Sequence, residues 1–598
     1  MSFFYRIRER FKLLIWDHIS PIHTCLRWIN MFVSLFAMGI IVYFYGFAQT
    51  TFSATFCNTA IHCSLLFYVL KYCILTVFNH HSRAYLKKHK VEGIVLLFIL
   101  LWFFAVYILK MDISLSIFSN MQLRHFNHLT IVSVQLYFFI LVLMELPNLN
   151  HLLDKFRLGP GGILILSFLL LIIFGTVVLL LPEMTVKPIS VVDALFTATS
   201  ASCITGLTTL NTATDFTIRG QLVILLLIQL GGLNIICFAT YFTSFYKGGN
   251  LRQQSILKEM FNTNLSGSKK LTKEIIIYTF IIELIGFFCM FLYLVSTHVY
   301  SAHLKQNFWL SLFHTIVSFN NAGFSTINGG TQNALFINNF YLQIVTIILA
   351  FLGGIGFLTL HDVINALTTR KHQRFWTKIP IRSKIVLKFS FLLLIIGAFL
   401  FFLLEYHHTL AGVGLSKKIM SSFFMSIACR SIGFTVVDVS RCCVSTLIIM
   451  LIMMAIGTSA GSTGGGIKLS TFYILIKSAW ATIKGKKQVT IYNRSVSYEL
   501  VDKSYVVLIF TLFICLFGSF ILSLTDSQFS FMAILFEVVS SCGTVGLSMG
   551  ITPLLSPIGK ITLIVIMYIG RITILTLAIS IARRAFNRYT LVKTNLDL

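Results

Sequence analysis

Charge is scarce in this sequence. Only 11% of the 598 residues are charged, and 20 acids stand against 47 Lys and Arg. Soluble domains carry about 25% charged residues, so a wholly water-exposed globule is excluded. Proline is scarce too, with 8 residues, while 57% of the chain is hydrophobic. That is the composition of a polytopic membrane protein. The 12 cysteines are scattered, many within apolar runs (Cys57, Cys63, Cys73, Cys237, Cys515), and no C-x-x-C pair occurs. Adjacent Cys442 and Cys443 have no partners at a metal-ligand spacing. Neither a disulfide framework nor a zinc site is therefore read from the sequence. H-E-x-x-H, paired carboxylates within an apolar run and a nucleophile motif are all missing, which argues against a membrane enzyme. The N-terminus, with Arg6, Arg8, Arg10 and Lys12, lacks a signal-peptide cleavage pattern.

The apolar runs are about 20 residues long and do not alternate, which selects helices over a barrel. The formal charge of +27 gathers in loops between these runs. Anionic lipid and the positive-inside rule produce that distribution, and nucleic-acid binding is not expected. Four apolar segments come first, near 29–49, 60–78, 92–111 and 127–147. They read as an accessory block. The 50–59 linker has no Lys or Arg, whereas 79–91 carries Arg83, Lys87, Lys88 and Lys90. This places the N-terminus in the cytoplasm.

From 162 a unit recurs: an apolar span, a short apolar stretch, a glycine segment and a second span. The spans and short stretches run 162–182, 191–202 and 219–245; then 273–297, 308–317 and 341–366; then 384–405, 419–428 and 445–480; then 503–525, 531–541 and 557–583. Each short stretch falls below the length that crosses a bilayer, so it reads as a re-entrant half-helix. The linkers 246–274, 367–384 and 482–503 are basic, while 298–340 holds only Lys305. The glycine segments therefore face outside, and both termini face the cytoplasm. About 12 spans and four half-helices result. The divisions are 1–160 (accessory helices), 161–248, 249–370, 371–490 and 491–598 with a cytoplasmic tail.

The glycine segments are Ile204-Thr205-Gly206, Asn321-Ala322-Gly323, Ser431-Ile432-Gly433 and Thr544-Val545-Gly546. Their glycines are spaced by 117, 110 and 113 residues, the signature of internal repetition. A dehydrated monovalent cation needs oxygen dipoles in place of its water, and backbone carbonyls supply them without a fixed charge. Glycine adopts the dihedrals that turn successive carbonyls toward one axis. Half-helix C-termini add partial negative charge. Four such loops predict one cation pore with pseudo-fourfold symmetry.

The third unit's second span is interrupted by Gly457-Thr458-Ser459-Ala460-Gly461-Ser462-Thr463-Gly464-Gly465-Gly466-Ile467-Lys468. Each glycine there is worse than Ala in a helix by about 1 kcal/mol, so the span reads as a helix broken by a gating loop, 457–470. It is no phosphate loop, because G-x-x-x-x-G-K-[ST] and a preceding strand are both missing. Arg571, within an apolar surround, reads as lining the pore below the filter and facing this loop. Glu283 reads as a structural partner in the membrane. Arg430, Asp438 and Arg441 read as vestibule residues.

These segments, with Gly231-Gly232-Leu233, Gly353-Gly354-Ile355-Gly356-Phe357 and Ala460 to Lys468, closely resemble the Trk/Ktr/HKT superfamily of potassium transporters, most of all its bacterial membrane subunit. The resemblance covers roughly 160–585. It implies an all-α polytopic membrane protein of four membrane–pore–membrane repeats, with K⁺ as the transported ion and no cofactor. Its filter would be Ile204, Thr205, Gly206, Asn321, Ala322, Gly323, Ser431, Ile432, Gly433, Thr544, Val545 and Gly546. Gly457, Ala460, Gly461, Ser462, Thr463, Gly464, Gly465, Gly466, Lys468 and Arg571 would form the gate. The resemblance further implies a homodimer in the bacterial inner membrane, paired with a cytosolic nucleotide-binding regulatory subunit. Glycine at 206 favours potassium over sodium, since a serine there accompanies sodium transport in some plant members. Ser431-Ile432 departs from the family's more usual Thr-Ala. Coupled Na⁺ or H⁺ symport is the nearest alternative.

Overall fold

A computed structural model describes residues 19–78, 93, 160–233, 268–297, 304–368, 375–459, 461–486 and 488–572. The expected spans at 92–111 and 127–147, most of the 246–274 linker, Ala460 and the tail beyond 572 lie outside the described residues. The chain divides into two compact units, one built mainly from residues 1–156 and the other from most of 157–598.

In the first unit, α1 (Ile19–Gly46) and α2 (Thr51–Phe78) pack through Ala37, Ile40, Cys57, Ile61 and Tyr68. The 50–59 stretch, expected as a linker, is helical from Thr51. Thr50 and Ser53 cap that start reciprocally, each hydroxyl accepting from the other's backbone N–H at 3.2 and 2.9 Å.

The second unit opens with α3 (Pro160–Leu179), α4 (Val191–Ser202) and α5 (Ile218–Leu233). Ser190 starts α4 by accepting from Asp193 N at 3.1 Å. Next come α6 (Ser268–Ser296), α7 (Leu304–Asn320), α8 (Phe340–Gly354) and α9 (Phe357–Thr368). Then follow α10 (Ile381–Glu405), α11 (Leu415–Ile427), α12 (Val444–Ala455) and α13 (Leu469–Ile483). The last group is α14 (Tyr498–Thr525), α15 (Phe531–Gly543) and α16 (Pro557–Ile572). Among the described residues the one sheet is a hairpin pairing Thr490–Ile491 with Arg494–Ser495. Four helices among the described residues are long and apolar enough to cross a bilayer, at Thr51–Ile74, Leu271–Ser296, Ile381–Glu405 and Tyr498–Thr525. The short helices α4, α7, α11 and α15 have 12, 17, 13 and 13 residues. At 1.5 Å per residue they measure about 18–26 Å, less than a bilayer core of about 30 Å.

Two further expectations are corrected. The span expected at 341–366 is two helices, α8 and α9, bent by 100°. Gly356 takes φ +86° between them. The backbone groups freed by the break are satisfied from the third segment: Phe357 N donates to Gly461 O at 3.1 Å, and Gly354 O accepts from Ser459 N at 3.2 Å. In the third segment, Ala428–Ile432 forms a wide π turn continuing α11, so Ser431 and Ile432 belong to helical backbone rather than to an open loop. The second span of that segment is broken as expected, α12 and α13 flanking residues 456–468. Ile456 and Ile467 pair across the base of the break.

Candidate ion-conduction site

The short helices end at one place. Gly206, Gly323, Gly433 and Gly546 have φ of +91°, +69°, +73° and +88°. A Cβ built on Gly206 would stand 2.7 Å from Ala322 O, and one on Gly323 would stand 3.0 Å from Ile432 O. On Gly433 it would stand 2.7 Å from Val545 O, and on Gly546 2.1 Å from Thr205 O. The glycines thus touch in chain order and close a ring. Each abuts the carbonyl of the residue just before the next glycine. No side chain fits within the ring, and what it offers is backbone oxygen.

Three of the four approaches share one construction. Ile204, Asn321 and Thr544 take left-handed φ of +57°, +61° and +49°. One residue later, Thr205 N, Ala322 N and Val545 N donate to Ser200 O, Val317 O and Ser540 O at 2.8, 3.0 and 2.9 Å. In the third segment the π turn takes the place of the left-handed residue. Ser200 Oγ accepts from Gly206 N at 3.1 Å and donates to Leu207 O at 2.6 Å, and Ser540 Oγ accepts from Gly546 N at 3.1 Å. The hydroxyls just before the glycines therefore hold the loop backbone as well as allowing close packing.

The surroundings fix each loop further. Glu283, buried on α6, accepts from Gln229 Nε2 at 3.0 Å and from Asn320 Nδ2 at 3.2 Å. Asn320 also donates to Gln229 Oε1 at 2.8 Å. Glu283 is thus a structural partner, as its sequence context suggests, and its partners are amides rather than a cation. Glu537, fully buried on α15, accepts from Ser548 Oγ, from Met549 N at 3.2 Å and from Thr552 Oγ1 at 2.9 Å. It pins the strand of chain leaving Gly546. Glu537 escaped the sequence reading, although the rule that singled out Glu283, an ionisable group in an apolar run, applies to it equally. Arg430 is not a vestibule residue. It is 5% exposed and donates to Ser390 O and Oγ at 3.2 and 3.3 Å. Asp438 and Arg441 do stand at the surface, 3.2 Å apart.

On one side of the ring lies a depression of about 360 Å³, lined by all four glycines and by Ser325, Asp438 and Ser548 among others. In three of the segments the residue two before the glycine, Asn321, Ser431 or Thr544, meets the 457–468 loop instead. Asn321 Nδ2 donates to Thr463 Oγ1 at 3.0 Å, and Gly465 N donates to Thr544 Oγ1 at 2.7 Å. Arg571 donates through Nη1 to Thr463 O and through Nη2 to Gly231 O at 2.6 Å. Lys468 Nζ donates to Gly464 O at 2.6 Å. The ring therefore sits between an open depression and a loop held by an arginine. Of the expected gate residues, Ala460 is outside the described residues. Gly457 and Gly466 stand at the base of the loop, with a Cβ on Gly466 only 3.2 Å from Gly457 Cα.

The model of the TrkH family, described as cation transport protein, matches residues 159–588. The Ktr system potassium uptake protein B of Bacillus subtilis (strain 168) is 38% identical over 431 residues, 71% of this chain and 94% of that protein. The protein of the same name from Vibrio alginolyticus is 35% identical, covering 72% and 93%. The potassium/sodium uptake protein NtpJ of Enterococcus hirae is 34% identical, covering 72% and 94%. Among solved structures, the potassium transporter TrkH from Vibrio parahaemolyticus superposes with a TM-score of 0.55 at 17% identity, over 71% of this chain and 84% of that one, a likeness of fold. The match takes in every helix from α3 onward together with all four ring glycines, and the chain is accordingly a helical membrane transporter of the TrkH cation transport family.

Proposed function

We propose that the chain mediates potassium uptake across a bacterial inner membrane, through the ring formed by Gly206, Gly323, Gly433 and Gly546. The observation that carries this reading is the ring itself. Four left-handed glycines abut four carbonyls, of Thr205, Ala322, Ile432 and Val545, in a place where no side chain fits. Carbonyl dipoles replace the hydration shell of a monovalent cation without trapping it. The names of the relatives, potassium uptake proteins, support K⁺ as the ion.

In this reading the depression is the outer vestibule and the 457–470 loop is the gate, held shut by Arg571. The arginine adds an electrostatic barrier on the inner side of the ring. The membrane potential drives uptake, at about 2.3 kcal/mol per charge per 100 mV. The protein works as a homodimer with a cytosolic nucleotide-binding subunit docked on its basic linkers, both termini facing the cytoplasm. A second reading, a less selective or Na⁺-coupled transporter, draws on the potassium/sodium uptake protein among the relatives.

Rb⁺ uptake in cells lacking their own potassium uptake systems separates these. Competition by K⁺ and not by Na⁺, lost in Gly323→Asp, is the expected result. Equal competition by Na⁺ moves the assignment to the second reading. Absence of uptake both without and with the regulatory subunit, in protein shown to reach the membrane, overturns both.

A further inference from the structure

The turn after α10 and the start of α12 bring three different metal-binding side chains together. Glu405 ends α10, and its side chain is fully buried. Its Oε1 accepts from Cys443 N at 2.9 Å, and its Oε2 accepts from Thr409 N at 3.2 Å and Thr409 Oγ1 at 2.7 Å. The Cys443 sulfur stands within 4.8 Å of a carboxylate oxygen of the same side chain. His408 Nδ1 lies 3.6 Å from Oε2. One ligand atom from each of the three residues falls within 4.8 Å of the others. Sequence spacing hides this cluster, because Cys443 stands far along the chain from the other two.

We propose that Glu405, His408 and Cys443 form a binding site for a zinc-class divalent cation. A carboxylate that only capped two turns would need neither a thiol nor an imidazole beside it. The sulfur–nitrogen–oxygen donor set is that of zinc, whereas calcium and magnesium take oxygen ligands. The carboxylate is already oriented by Thr409 and by the Cys443 backbone, as ligating carboxylates are in metal sites. His408 is 54% exposed, which gives the ion a way in and the ring freedom to turn. Three protein ligands leave a fourth position to water. The Cys443 sulfur binds as thiolate, its proton passing to solvent as the Zn–S bond forms. A bound ion would tie the end of α10 to the start of α12, the helix whose other end opens into the 456–468 loop.

The test uses the full-length purified protein, titrated with Zn²⁺ against a fluorescent zinc chelator, and X-ray absorption at the zinc edge. Wild type is expected to hold one more equivalent of zinc than Cys443→Ser or His408→Ala. The spectrum of wild type should show a sulfur ligand at about 2.3 Å. Cys443→Ser keeps the backbone donation to Glu405 and should melt with wild type, so a loss of zinc would not reflect unfolding. Cys442→Ser is expected to bind as wild type does. Equal zinc in wild type and Cys443→Ser, or bound zinc with no sulfur neighbour, overturns the site.

Discussion

The sharpest test of the ring is Gly546→Ala set against Gly550→Ala. The two glycines lie in one loop and share nearly the same backbone, φ +88° and +87°. Alanine at either pays a similar left-handed penalty of about 1–2 kcal/mol. They differ in surroundings. A Cβ at 546 would stand 2.1 Å from Thr205 O, while one at 550 meets nothing within 4 Å. Carbon–oxygen contacts lie at about 3.3–3.6 Å, so the Thr205 carbonyl must retreat by about 1 Å. An oxygen carrying about half a charge, moved from about 3 to about 4 Å from a monovalent cation at an effective dielectric of about 20, loses about 0.7 kcal/mol of attraction. That is about threefold in affinity from one oxygen. Gly206 Cα, 3.0 Å from the same Cβ, must also move, so the effect spreads to the next subsite. The apparent affinity for Rb⁺ should therefore fall at least about threefold in Gly546→Ala, and the preference for K⁺ over Na⁺ should narrow. Gly550→Ala should stay within about twofold of wild type. Rb⁺ uptake at graded Rb⁺, with and without competing Na⁺, reads both. Equal damage from the two variants would show that backbone strain, not the ring, governs transport. An unharmed Gly546→Ala would remove the Thr205 carbonyl from the ion path.

Three further outcomes follow from the contacts around the ring. Arg571→Gln removes a charged clamp on Thr463 O and Gly231 O, bonds of about 1.5–3 kcal/mol each when charge-assisted; the maximal Rb⁺ rate should rise on the order of tenfold, and an unchanged rate would release the loop from any gating role. Glu283→Gln turns one acceptor oxygen into a donor facing the Gln229 and Asn320 amides, which should lower stability by about 1–3 kcal/mol, read as a lower Tm of the purified protein. Glu537→Gln should be milder than Glu283→Gln, because two of its three partners, Ser548 and Thr552, are hydroxyls that can rotate from donating to accepting. The reverse order of Tm would show that burial rather than partner chemistry sets the cost.

The helices and their short partners were legible because membrane insertion writes them into composition. A run of about 20 apolar residues with few charges has few other fates. The glycine at the centre of each loop was legible for the same kind of reason, since only glycine tolerates the φ and the close approach found there. The break between α8 and α9 was not. Its local sequence, Ile344 to Leu360, carries no charged residue and is mostly apolar, with only Gly353, Gly354 and Gly356 to mark it. What makes the break stable is a pair of hydrogen bonds to Ser459 and Gly461, about a hundred residues away in another segment. The π turn at Ala428–Ile432 was hidden likewise, because a five-residue hydrogen-bond register leaves no mark in composition.

The buried charges divide along the same line. That Glu283, Arg571 and Glu537 must have partners follows from their apolar setting. Which partners they have does not follow. Arg430 shows the limit: three residues before Gly433, in a run that reads as pore mouth, it instead turns back onto Ser390 of α10. Its neighbour Ser431 stays against Gly464 of the 457–468 loop, so two adjacent residues serve opposite sides of one turn. The wide π turn carries helical backbone from Ala428 through Ile432 up to Gly433 itself. The third approach can then do without the left-handed residue that Ile204, Asn321 and Thr544 supply in the others. The asymmetry of the ring and the burial of Arg430 thus have one cause, and the third approach is the one that also carries the loop beneath the ring.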